Sequence, residues 1–170
     1  ALIELGLQHE QQHQELMLTD ILHLLSCNPL WPAYAAAPVR AAASARASAP
    51  ALQWLQHEGG VVEIGHAGGG FAFDNEGPRH RVYLQPYALA SRLVTQAEYA
   101  AFVADGGYAN PALWLAEGWD WRTANGLTQP LYWQQCDGAW HTFTPAGLQP
   151  MDGEAPAVHL SYYEADAYAR

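Results

Sequence analysis

Residues 8 to 16, QHEQQHQEL, hold two histidines four residues apart, His9 and His13, with Gln12 between them and Glu15 behind. In a helix, side chains at i and i+4 project from successive turns, so two such imidazoles can reach one metal ion. Imidazole with open coordination positions suits zinc, copper or non-haem iron. The same HxxxH pattern also arises on the polar surface of an ordinary helix, and on the motif alone that surface reading is favoured. Two ligands do not complete a catalytic site. His23 is in phase with the pair but lies between two and three turns beyond His13, and Asp20 about two turns away. The histidines at 57, 66, 80, 141 and 159 sit across a linker, and nothing in their spacing selects a third ligand.

The element that must carry the pair runs from Leu2 to Leu25, with one Gly, no Pro, and Leu, Glu, Gln and Met in the majority. This composition predicts a helix of about six turns that stops near Asn28-Pro29. At about 100° per residue, Leu5, His9, Gln12, His13, Leu16 and Asp20 share one stripe, while Leu7, Leu18, Leu22 and Leu25 lie on the other side. A helix apolar on both sides is expected inside a bundle. Residues 32–52 are Ala-, Pro- and Ser-rich, which reads as a linker or a strap over a surface, with room for short helical pieces only.

From Trp54 the pattern changes to short strands, turns and capped helices. VVEIG (61–65) and RVYL (81–84) read as strands flanking a glycine-rich loop. In LYWQQC-DG-AWHTFT, Asp137-Gly138 suits a type I′ turn of a hairpin. Thr95…Glu98 and Ser161…Glu164 are capping boxes that open two helices, the first ending at Gly106-Gly107. The stretch between Tyr108 and Trp133 is Trp-rich and reads as irregular. The fold class expected is α+β.

Asp74, Asn75 and Glu76 cluster oxygens as a calcium site does, but Asx, Gly and Pro are also turn formers, and the turn is the favoured reading. The tryptophans at 114, 119, 121, 133 and 140 can build a cage for a quaternary ammonium or simply pack a core, and core packing is favoured. His159, just before a capping box, reads more readily as the anchor of a strand end than as a functional group.

Of 170 residues half are hydrophobic, and the net charge is −10 with seven Lys and Arg. So few cations argue against nucleic acid or an anionic membrane as partner. Cys27 and Cys136 are isolated, which excludes a disulfide framework and points to a reducing, cytoplasmic setting. No apolar run reaches membrane-spanning length. ALIELGLQHE at the start and YYEADAYAR at the end both read as the interior of helices, so the chain is expected to be a fragment.

Two separated segments resemble one family. HEQQHQE (9–15) is similar to the HxxxHxE motif of the DinB-like helical domain of ergothioneine-biosynthesis sulfoxide synthases, the EgtB type. FAFDNEGPRHRVYL, VTQAEYAAFVADGGY, PALWLAEGW and VHLSYYEADAYAR resemble the formylglycine-generating-enzyme-like domain, of C-type-lectin fold, in the same proteins. The resemblance implies residues 1–31 as the end of the DinB-like domain, 32–52 as linker and 53–170 as the beginning of the second domain. It implies a mononuclear non-haem iron(II) enzyme that uses O2 to join a cysteine-containing thiol, γ-glutamylcysteine or cysteine, to hercynine as a sulfoxide. His9 and His13 would be iron ligands and Gln12 a contact of the hercynine imidazole, with Glu15 turned away from the pair. The family's third histidine would precede Ala1 and its catalytic tyrosine would follow Arg170, so residues 1–170 alone are expected to be inactive. Open alternatives are a non-catalytic lectin-like binding module and a related enzyme joining cysteine or selenium to histidine. A copper-dependent formylglycine-generating site would need paired cysteines, which this stretch does not have.

Overall fold

The computed structural model describes residues 2–36 and 49–170. Its fold is α+β, with four α-helices and seven short antiparallel strands among the described residues. The chain forms two compact units. The residues up to Ile21 join Ala51–Arg92 in the first, and those from Leu22 onward join Leu93–Arg170 in the second.

Helix α1 (Leu2–Ser26) extends as its composition predicts. The helical hydrogen bonding continues through Cys27 N–H to the His23 carbonyl at 3.2 Å and stops at Asn28, whose side chain accepts from Leu30 N–H at 2.9 Å. Leu7, Leu16 and Leu18 are exposed and only Leu22 is buried, so the bundle expected around this helix is not among the described residues. Burial needs an opposing surface, and among the described residues none covers that part of the helix.

In the first unit, β1 (Trp54–His57) pairs with β4 (Tyr87–Ala90), and β2 (Gly60–Ile64) pairs with β3 (His80–Leu84). The two strands read from VVEIG and RVYL are β2 and β3, in register Val62↔Val82. Gly59, at φ +76°, turns the chain between β1 and β2. A Cβ there would lie 2.6 Å from the Leu84 carbonyl oxygen, so only glycine fits. The loop between β2 and β3 ends in a 3-10 turn at Asp74–Glu76.

The second unit holds the core. Helix α2 (Gln96–Ala104) and helix α4 (Tyr162–Ala169) both start at capping boxes, with side-chain and backbone bonds reciprocated at Thr95/Glu98 and Ser161/Glu164. Gly106 takes the left-handed conformation just past α2, at φ +80°. Strands β5 (Trp133–Cys136) and β6 (Ala139–Thr144) form the expected hairpin, with Asp137 and Gly138 at φ +50° and +79° as a type I′ turn requires. A third strand, β7 (Gly147–Pro150), extends it. Tyr99, Tyr108, Trp114, Trp133 and Ala167 form the buried centre.

The stretch from Tyr108 to Trp133 is not irregular throughout, because α3 (Ala116–Ala124) lies within it. Its start, Leu115, offers no side-chain cap, and Gly118 interrupts the helical pattern, so neither local signal announces it. Tertiary packing supplies the reason for that glycine: the Tyr163 side chain lies against Gly118, 2.7 Å from where a Cβ would stand. The residues just after α1 lie against the end of β6. Trp31 packs edge-on against Phe143, and the Tyr34 and Ala35 N–H groups both donate to the Pro145 carbonyl. The helical pieces foreseen in the Ala-rich stretch fall on residues 37–48, outside the described residues.

Candidate functional site

Helix α1 brings His9 and His13 onto successive turns, with ring centroids 4.5 Å apart and planes at 75°. Both residues are exposed. Among the described residues, no hydrogen bond engages either imidazole, so their nitrogens remain available to a metal. His9 and Gln12 line an open cleft of about 620 Å³, together with Leu2, Leu5, Gly6 and Phe73. Phe73 comes from the loop between β2 and β3, and its ring meets Phe71 edge-on at 4.9 Å. The arrangement sets two imidazoles and one amide beside an apolar wall. His13 is not a wall residue of the cleft but touches it through His9. Among the described residues, no three His, Cys, Asp or Glu side chains stand close enough together to hold a metal ion.

The other histidines have structural partners or stand apart. His57 stacks on Tyr87 across β1 and β4, and the Nδ1–H groups of His80 and His141 donate to the Pro78 and Ala139 carbonyls. His23 Nδ1 lies 3.3 Å from the Tyr132 hydroxyl, and its Nε2 lies 4.0 Å from Cys27 Sγ. The oxygens of the 3-10 turn serve the turn itself. Glu76 accepts from Phe73 N–H at 2.7 Å and Asp74 from Asn75 N–H at 3.0 Å. Tryptophans 114, 119, 133 and 140 pack into or against the core rather than forming a cage, with the Trp114 indole N–H donating to the Gly107 carbonyl at 2.8 Å.

Electrostatic perturbation concentrates in the second unit. Burial, reinforced by the Glu164 carboxylate, pushes the Tyr108 phenol far above its ordinary value. Burial raises Tyr99 as well, with Glu164 adding to it. Glu164 therefore does two jobs, accepting from Tyr108 with one oxygen and from Ser161 N–H with the other. Sequence reading did not single out Tyr132, a buried residue at φ +69° whose ring meets His159, itself at φ +61°, at 4.9 Å. No residue pattern signals the left-handed backbone at Tyr132, and a lone His is only a weak signal of it at 159. Both residues line a second cleft, of about 450 Å³. Partial burial lowers the affinity of the His159 imidazole for a proton.

No described helix is long and apolar enough to cross a membrane. Comparison with known proteins bears on both ends of the chain. The hercynine oxygenase of Mycolicibacterium thermoresistibile is 34% identical over 161 residues, 95% of this chain and 34% of the relative. That of Mycobacterium tuberculosis is 33% identical over 164 residues, 96% of this chain and 37% of the relative. That of Mycolicibacterium smegmatis is 36% identical over 98 residues. The chain thus spans about a third of the length of the first two relatives. The family described as sulfatase-modifying factor enzyme 1-like domain matches residues 40–170, which contain the capped helices α2 and α4 and the β5–β7 sheet. The chain belongs to the sulfatase-modifying factor enzyme 1-like family.

Proposed function

We propose that this chain is part of a mononuclear non-haem iron(II), O2-dependent sulfoxide synthase acting on hercynine in ergothioneine biosynthesis. The observation that carries the reading is the His9–His13 pair, whose imidazoles make no hydrogen bond among the described residues, beside a cleft that Gln12 also lines. Likeness to hercynine oxygenases over nearly the whole chain supports it. His9 and His13 would hold the iron, with a third ligand from outside the described residues. Neutral imidazoles fit this metal, because they leave its charge uncancelled and positions open for other ligands.

When bound, iron supplies a site where a thiolate and O2 can meet the substrate. Overall, the thiol S–H and an imidazole C–H are replaced by a C–S bond. The sulfur is oxidised to a sulfoxide, and the second atom of O2 leaves as water. The chain's own residues would orient and shield. Gln12 can offer its amide N–H or C=O to either tautomer of a substrate imidazole. Leu2, Leu5 and Phe73 would keep water from the reacting atoms on their side of the cleft. The thiol is γ-glutamylcysteine or cysteine.

The test uses full-length protein with iron(II), hercynine and each thiol in air, reading sulfoxide by mass spectrometry and bound iron by metal analysis. His13→Ala should lose both iron and product while keeping the native circular dichroism spectrum. A His13→Ala protein with full iron and undiminished turnover would refute the assignment.

A further inference from the structure

Gln96 occupies the first helical position of α2 and is 8% exposed. Its Nε2 faces the Pro156 carbonyl at 3.4 Å and donates to it. The other end, Oε1, is buried and accepts from no protein group among the described residues. Buried acceptors are rarely left so, because nothing then repays their lost hydration. Gln96 lines a cavity of about 110 Å³ whose further walls include Leu22, Tyr132, Trp133, Phe143 and His159. All belong to the second unit, and none is shared with the cleft at His9.

The chemistry of this cavity favours one kind of occupant. It has no Lys or Arg in its wall, which includes the rings of Tyr132, Trp133 and Phe143 beside Gln96. Aromatic faces attract cations, and more strongly where water is excluded. The N–H groups of the first turn of α2 are already used. Those of Gln96 and Ala97 donate to the Ala155 and Gly153 carbonyls, and that of Glu98 donates to the Thr95 hydroxyl. No donor is therefore left there to attract an anion, and the Glu98 carboxylate at Thr95 offsets the positive end of the helix. The space admits a group of a few heavy atoms. Access is at hand, since Tyr132, Trp133 and His159 also wall the open cleft of about 450 Å³. The left-handed backbone at both Tyr132 and His159 is a strain that folds maintain chiefly around sites of use.

We propose that this cavity binds a small organic cation carrying N–H donors, a primary ammonium or guanidinium group, with its hydrogen bond to Gln96 Oε1. The group can belong to a free amine or to the end of a lysine or arginine side chain.

Methylammonium chloride is titrated into the protein at constant ionic strength while Trp fluorescence and the Gln96 side-chain amide resonance are followed by optical and ¹⁵N NMR measurement. Saturable binding is expected, with tetramethylammonium, which has no N–H, at least tenfold weaker. Gln96→Leu should weaken methylammonium at least tenfold. The amide resonance of the unaltered protein decides the matter should that variant fail to fold. Acetyl-lysine methylamide binding more tightly than methylammonium would assign the site to a polypeptide side chain, and the reverse order to a free amine. The proposal is overturned by a response no different from sodium chloride, by equal binding of tetramethylammonium, or by a folded Gln96→Leu protein that binds as before.

Discussion

Replacing Gly118 by alanine sets two effects of opposite sign against each other. Alanine in place of glycine in a helix interior stabilises by about 1 kcal/mol, because the unfolded chain loses freedom. At Gly118, however, the new Cβ would stand 2.7 Å from the Cβ, Cγ and Cδ1 atoms of Tyr163. Rotating the tyrosine ring cannot relieve the contact with its own Cβ, which moves only with the backbone of α4. The ring is also held by its hydroxyl, which donates to Glu117 Oε2 at 3.0 Å. Overpacking of this kind costs roughly 1–3 kcal/mol, so the clash outweighs the propensity gain and the net loss should be about 1 kcal/mol. For a unit of about a hundred residues this lowers the melting temperature by about 4–8 °C. Tryptophan fluorescence is a suitable assay, because every tryptophan except Trp54 lies in the second unit. Gly6→Ala in α1 is the control, since its Cβ would meet nothing within 4 Å. That change should slow hydrogen exchange in α1. A Gly118→Ala protein that melts at or above the native temperature would refute the packing argument.

Two further outcomes are expected. Gln12→Ala in the full-length protein should weaken hercynine binding by about 1–2 kcal/mol, the worth of one hydrogen bond, while iron content stays unchanged; calorimetry with iron present checks it. His159 has a folded-state pKa below its unfolded value, so its contribution to stability is present above about pH 6.5 and is lost as pH falls through the folded value. Melting curves between pH 7.5 and about pH 5 should therefore decline less steeply for His159→Asn, a neutral residue that tolerates the left-handed backbone.

Local grammar made much of this fold readable from the residues alone. Both capping boxes, the Asp137-Gly138 turn and the span of α1 follow from rules acting over four to six residues, and each occurs where those rules put it. Helix α3 was illegible for the opposite reason. Its glycine serves the Tyr163 side chain 45 residues away in sequence, and pattern reading sees only a break. The His9–Gln12–His13 face was legible because helical geometry alone brings those side chains together. The meeting of Tyr132, His159 and Gln96 was not, since it depends on left-handed backbones just before β5 and in the loop before α4, where the expected strand end at His159 is absent, and on residues distant in sequence.

The two capping boxes share one sequence grammar but not one role. Glu98 caps α2 from a partly buried position, whereas Glu164 is 3% exposed and also receives the Tyr108 hydroxyl. Divergence should treat them differently. At position 98 a glutamine preserves the cap, because its amide oxygen can accept as the carboxylate does. At position 164 the carboxylate joins the first turn of α4 to the residues following α2, so a neutral amide would present a donor where the phenol now finds an acceptor. A residue that looks like punctuation for one helix thus constrains two segments at once, and substitutions at 108 and 164 should be tolerated mainly in compensating pairs.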